Sequence, residues 1–168
     1  MDFDTYLDSV TDYLLGDGYE IKYDVNFQGQ EFKCVAKYGG FKAEIFSFYC
    51  NYFFIFYHFD TISFTDLKNY SRKCMHYGSR HKLFPILPIP FTFHVVFSAA
   101  IVDYVDKGTI EELRFKDRPD HFTSYEFQAI YCLQSEQLYY SEENPLGHHI
   151  LHDYYRQLAC LYLLPSEK

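Results

Sequence analysis

Tryptophan is absent from this chain of 168 residues, and methionine occurs twice. Neither shortage starves a core, because 18 tyrosines and 18 phenylalanines supply the bulk. Long apolar runs are missing too. No strictly apolar run is longer than Leu158 to Leu164, Tyr52 to Tyr57 is nearly as long, and the stretch from Leu83 to Phe91 is broken by Pro85, Pro88 and Pro90. A bilayer needs ~20 apolar residues in a row, so no membrane contact is expected. The opening Met1-Asp2-Phe3-Asp4 lacks a basic segment followed by an apolar one, so no secretory leader is expected. None of the five cysteines, Cys34, Cys50, Cys74, Cys132 and Cys160, lies in a CxxC pair. That spacing excludes a zinc ribbon and a redox pair, and free thiols in a reducing cytoplasm are expected. The patterns GxSxG, GxxxxGK[ST] and GxGxxG are absent as well. With 23% charged residues and a heavy aromatic load, the chain is no disordered polymer. Its length fits one domain spanning 1–168.

Charge is short of one sign in one place. The chain carries a net charge of −8, yet no acid lies between Asp66 and Asp103. Lys68, Arg72, Lys73, Arg80 and Lys82 fall in that gap. The acidic total opposes passive wrapping of nucleic acid, which is not an expected partner. The island Arg72, Lys73, Arg80 and Lys82, with His76 and His81, could receive an anion or an acidic partner, or be the solvated face of a helix and its following loop.

Periodicity places the elements. Phe3, Tyr6, Leu7, Val10, Tyr13 and Leu14 recur at helical spacing, with Asp2 or Asp4 as cap and Gly16-Asp17-Gly18 as stop. From Tyr19 the period becomes two. Tyr19, Ile21, Tyr23, Val25 and Phe27 share one side, and after a Gln28-Gly29 turn so do Phe32, Cys34, Ala36 and Tyr38. A two-residue hairpin makes facing residue numbers sum to 57, which sets Val25 against Phe32, Asp24 against Lys33 and Glu20 against Lys37. Gly39-Gly40 is the next expected turn, followed by strands at 41–47 and 52–59. The second of these is apolar on both sides and is expected at the centre of a sheet. A helix is expected from Phe64 to Tyr77, capped by Ser63 or Thr65 and ended at Gly78. Phe91, Phe93, Val95 and Phe97 form a strand, 99–106 a short helix, and 107–121 a surface loop. Strands at 125–132 and 138–140 and a helix from about His148 to Leu163 complete the chain. The expected order is α-β-β-β-β-α-β-(α)-β-β-α, an α+β fold with an antiparallel sheet flanked by helices.

Two further constellations carry chemistry. Asp24 with Glu31-Phe32-Lys33 resembles the metal-binding pattern of the PD-(D/E)xK nuclease-like fold. The resemblance implies two carboxylates holding a divalent metal and a lysine positioning the attacking water. The competing reading is a solvated sheet face with cross-strand ion pairs. His148, His149, His152 and Asp153 are spaced so that His148 and His152 lie at i,i+4, the geometry by which two imidazoles share zinc. The HExxH glutamate is missing, and solvated or core-edge histidines are the alternative. No cofactor is required, and a divalent metal is the one these residues could hold. Tyr139, Tyr140, Tyr154, Tyr155 and Tyr162 offer a homodimer patch or core packing.

The pattern also resembles an uncharacterised family of small prokaryotic proteins. The matching pieces are Phe3-Asp4-Thr5-Tyr6-Leu7, the strands through Phe59, the helix after Phe64, Phe127-Gln128-Ala129-Ile130 and Asn144-Pro145-Leu146-Gly147. That resemblance implies a single α+β domain and no catalytic residue. A looser likeness, in element order and acidity, is to the acidic chaperones of type III secretion. The expectation is a non-enzymatic cytoplasmic interaction protein that partners itself, as a homodimer, or another protein. The alternative is a metal-dependent nuclease or hydrolase on Asp24, Glu31 and Lys33.

Overall fold

Residues 1–41, 49–82, 92–116, 124–142 and 149–165 are described by a computed structural model of the chain. Helix α1 (Phe3–Gly16) starts where Asp2 accepts the Thr5 N–H at 2.8 Å. That hydrogen bond satisfies an otherwise orphaned donor and holds the Asp2 carboxyl below its ordinary pKa. The hairpin follows as β1 (Glu20–Phe27) and β2 (Gln30–Phe41), then β3 (Tyr49–Thr61). Helix α2 (Phe64–His81) is capped by Ser63, which accepts from the Asp66 N–H. Strand β4 (Thr92–Tyr104), helix α3 (Lys107–Lys116), strands β5 (Ser124–Cys132) and β6 (Gln137–Tyr140), and helix α4 (His149–Leu163) complete the order.

The six strands lie side by side in chain order. Pairs β1–β2, β2–β3 and β5–β6 are antiparallel, as expected, whereas β3–β4 and β4–β5 are parallel. The correction has a plain cause. A helix follows β3 and another follows β4, and a parallel return needs such a crossover. Both crossover helices lie on the same face, because the strand order advances in one direction and crossovers are right-handed.

Two cores result, one on each face of the sheet. Tyr52, Phe54, Phe56, Val95, Phe97 and Ile101 face α1 and α4. Phe53, Ile55, Val96, Ala100 and Val102 face α2 and α3. Stacked Phe54 and Phe97 rings, with centroids 4.2 Å apart, join the central strands on the first face. The Tyr6 hydroxyl donates to the Leu163 carbonyl at 2.9 Å, and the Tyr162 hydroxyl to Asp17 at 2.7 Å, so α1 and α4 are tied together.

Four expectations are corrected. Gly39 and Gly40 make no turn: β2 runs through them, pairing with Asn51 and Cys50 of β3. Of the strand expected at 41–47, residues 42–47 lie outside the described residues. The apolar run at 99–102 continues β4 rather than forming a helix, buried on both sides of the sheet. The polar stretch after Lys107 opens as α3, started by Asp106, which accepts the Thr109 N–H at 3.0 Å. Helix α2 passes Gly78 and ends at His81.

At Gly78 helix α2 lies close against β4. A Cβ built there would stand 2.5 Å from Val96 Cγ2, a stiff and fully buried side chain. Alanine favours a helix over glycine by about 1 kcal/mol, but overpacking at a closed contact costs about 1–3 kcal/mol. Gly78→Ala is therefore expected to lower stability in urea unfolding; a variant more stable than the parent would contradict this close approach.

Candidate functional site

The first hairpin keeps its expected register, with Tyr23 facing Cys34, Val25 facing Phe32 and Glu20 facing Lys37. Its faces do not keep their expected alternation. Ile21, Cys34 and Ala36 pack with the α1/α4 core, while Val25, Phe27 and Phe32 pack with the α2/α3 core. The reversal sits at Asp24 and Lys33, whose pairing is missing from an otherwise continuous ladder. Asp24 has φ 48°, in the left-handed region that aspartate tolerates better than most residues. Facing numbers sum to 57 on both sides of it, so no residue is inserted and both strands turn together. Tyr23 is left half exposed, its hydroxyl donating to Thr11 of α1 at 3.3 Å.

The reversal brings Asp24, Glu31 and Lys33 together on the outside of the hairpin. Lys33 Nζ donates to Glu31 and, at 3.3 Å, to Asp24. All three side chains are exposed, at 72% for Asp24, 48% for Glu31 and 38% for Lys33. Glu31 first and Asp24 second raise the Lys33 pKa, which keeps the ammonium charged and unable to serve as a base. The lysine thus occupies the position between the two carboxylates where the nuclease-like pattern would seat a metal.

The same reversal seats the hairpin tip on the last turns of α2. Phe27 meets the rings of His76, Tyr77 and His81 edge-on, at 5.3 to 5.7 Å. Lys73 donates to Gln30 at 2.9 Å, and Arg80 Nε donates to His76 Nε2 at 3.0 Å. His81 stacks on Tyr77 with centroids 4.0 Å apart. Arg72, Lys73, His76 and Arg80 are exposed and Lys82 is half-buried, so the island of cations is a continuous helix face bordered by aromatic edges. The contrast with other cations is clear. Lys22, Lys33, Arg114 and Arg156 each have a carboxylate within 3.3 Å. Arg72, Lys73 and Arg80 are in no ion pair among the described residues.

Of the histidine cluster, the described side chains are those of His152 and Asp153. His148 lies outside the described residues, and His149 starts α4. His152 is buried, with ring centroids 5.4 Å from Tyr125 and 6.2 Å from Phe127. Asp153 points outward to Arg156 at 3.1 Å. Among the described residues no three His, Cys, Asp or Glu side chains are grouped to hold a metal ion.

Sequence reasoning missed a polar seam between α2 and the sheet. Asn51, His94, Ser98, Glu126 and Gln128 are all buried there. Ser71 donates to Ser98 at 2.8 Å, Gln128 Nε2 to Glu126 at 3.3 Å, and Ser79 bonds His94 Nε2 at 3.1 Å. The alternation of Tyr125 and Phe127 with Glu126 and Gln128 was its visible signal, but alternation alone reads as a water-facing row. Burial pushes the Cys74 and Cys34 thiols up to about 12, which leaves both inert as nucleophiles.

Among known protein families, curated proteins and solved structures, none matches the chain.

Because the cationic face and the hairpin tip share the Asp24 reversal, that residue tests the arrangement. A β-branched residue in the left-handed region costs about 1–2 kcal/mol, and glycine costs nothing sterically. Asp24→Val is expected to lower the urea midpoint and speed amide exchange at residues 25–32, while Asp24→Gly keeps parental exchange. Identical exchange in both variants would show that the backbone of Asp24 does not set the reversal.

Proposed function

We propose that the chain is a non-enzymatic interaction protein of the cytoplasm that seats an acidic segment of a partner protein on the cationic face of α2. The single observation behind this reading is the set of exposed cations, Arg72, Lys73 and Arg80, without a carboxylate partner among the described residues of a chain of net charge −8. A protein with 23 acids beside 15 bases has carboxylates to spare, and those near other cations are used. Phe27 and His81 border the face and give an incoming segment aromatic edges to rest on. A handful of cations suits a short acidic peptide; a nucleic acid would demand a longer basic track against the repulsion of the rest of the surface. Five free thiols accord with a reducing compartment. The metal-dependent nuclease or hydrolase reading is the weaker one, since Lys33 already pairs with both carboxylates on an open surface.

Fluorescence anisotropy with a labelled Asp/Glu-rich peptide tests the proposal. Binding is expected to weaken as salt rises. The triple variant Arg72→Glu, Lys73→Glu, Arg80→Glu is expected to bind about ten- to a hundredfold more weakly, as three lost rim contacts of about 0.5–1 kcal/mol each imply. Its circular dichroism should match the parent. Unchanged peptide affinity in a folded triple variant, or tighter binding of single-stranded DNA than of the peptide, would overturn the reading.

A further inference from the structure

The sheet has two edges, and they are built differently. At one edge β1 carries Glu20, Lys22 and Asp24, and its ladder is broken at Asp24. Charges and an interrupted ladder are the usual devices that stop an edge strand from pairing with another molecule. At the other edge β6 reads Gln137-Leu138-Tyr139-Tyr140, without a charge or proline and with three half-buried side chains. Its ladder residues face β5 on one side and no strand on the other among the described residues.

A hollow of about 370 Å³ opens along this edge, lined by Arg114, Leu138, Tyr139, Tyr140, Glu142 and Arg156. Arg114 comes from α3 and Arg156 from α4, so each helical layer sends one arginine to the edge. Arg114 lies over the Tyr139 ring at 5.7 Å and pairs with Glu142 at 3.1 Å. Arg156 donates twice to the Ser141 carbonyl, at 3.1 and 3.2 Å, and pairs with Asp153 at 3.1 Å.

We infer that β6 is a dimerisation edge, and that its occupant is the β6 of a second copy of this chain, antiparallel across a two-fold axis. A partner strand would satisfy the outward backbone groups of β6 and make the two sheets continuous. A two-fold interface presents the same patch twice, so the patch must complement itself. This one does: its lining holds Arg114, Arg156 and Glu142, with Asp153 pairing Arg156 beside it, so cations and anions are balanced along the edge. Across the axis, Arg114 of one copy takes Glu142 of the other. An acidic peptide would meet an edge already neutral, and a basic one would meet two arginines. Four residues per strand give short pairing, so Tyr139, Tyr140 and Leu138 supply most of the contact. The edge lies on the opposite side of the sheet from the first hairpin, so this inference stands apart from the acidic-partner reading.

Light scattering on the eluting protein tests it. The expected mass is twice the 20.1 kDa of the chain, falling to the monomer on dilution. Tyr139→Lys, a charged guard added to the edge, is expected to raise the dimer dissociation constant at least about tenfold. Arg114→Glu and Glu142→Arg place like charges against each other and should each be monomeric. An equimolar mixture of those two should form a one-to-one dimer, because opposite charges then meet twice across the axis. That rescue separates the interface from mere loss of the internal ion pair, which mixing cannot restore. A parent that is monomeric at every concentration, a dimer unaffected by Tyr139→Lys, or a mixture that stays monomeric would each overturn the inference.

Discussion

Strands β3 and β4 are largely apolar on both faces, and the rest of the molecule answers that constraint. Tyr52 to Phe56 and Val95 to Phe97 are fully buried without alternation. Leaving one face of β3 in water would forfeit about 1.5–3 kcal/mol for each large side chain. The sheet therefore needs a helical layer on each side and neighbouring strands on both flanks. Helices α1 and α4 cover one face, α2 and α3 the other. The polar strand β1 and the short β6 are pushed to the edges. The outward surface of α2 becomes the place where the cations collect. Site and scaffold thus follow from one property of two strands.

Much of this was legible from the residues. The helical period of Phe3 to Leu14, the capping role of Ser63, the centrality of the Tyr52–Tyr57 run and the hairpin register all appear as read. The parallel half of the sheet was not legible, because strand direction depends on what the connection does. Ala99-Ala100-Ile101-Val102 looks the same as a buried helix or a buried strand, and a short apolar run carries no period to separate them. Helix α3 is faint in the sequence because, among its described side chains, only Leu113 and Thr109 are buried, and Gly108 stands near its start. Its real signal was Asp106 three residues before Thr109, a cap rather than a stripe.

The site was legible in pieces. Register alone set Lys33 against Asp24, and the ion pair is there. What the register could not carry is the backbone angle at Asp24, which swaps the faces of both strands and turns Phe27 from the α1 side to the α2 side. The polar seam under α2 was hidden for a related reason. Glu126 and Gln128 alternate as a solvated row would, and only the placement of a helix over them makes them interior. In both cases tertiary placement decides what a local pattern means.

The cations of α2 have two physical grounds, and they divide along the helix. Arg80 stands in its last turn, where a positive charge complements the helix dipole by about 0.3–1 kcal/mol. That charge is stabilising without any carboxylate partner. Arg72 and Lys73 lie mid-helix, beyond the reach of that effect, which fades within the terminal turn. Lys73 has a neutral partner in Gln30, and Arg72 stands without a carboxylate among the described residues. An uncompensated arginine in the middle of a helix adds nothing to the fold that a neutral residue would not. Arg72 is therefore the cation whose presence argues most directly for something outside the chain, and Arg80 the one whose presence argues least.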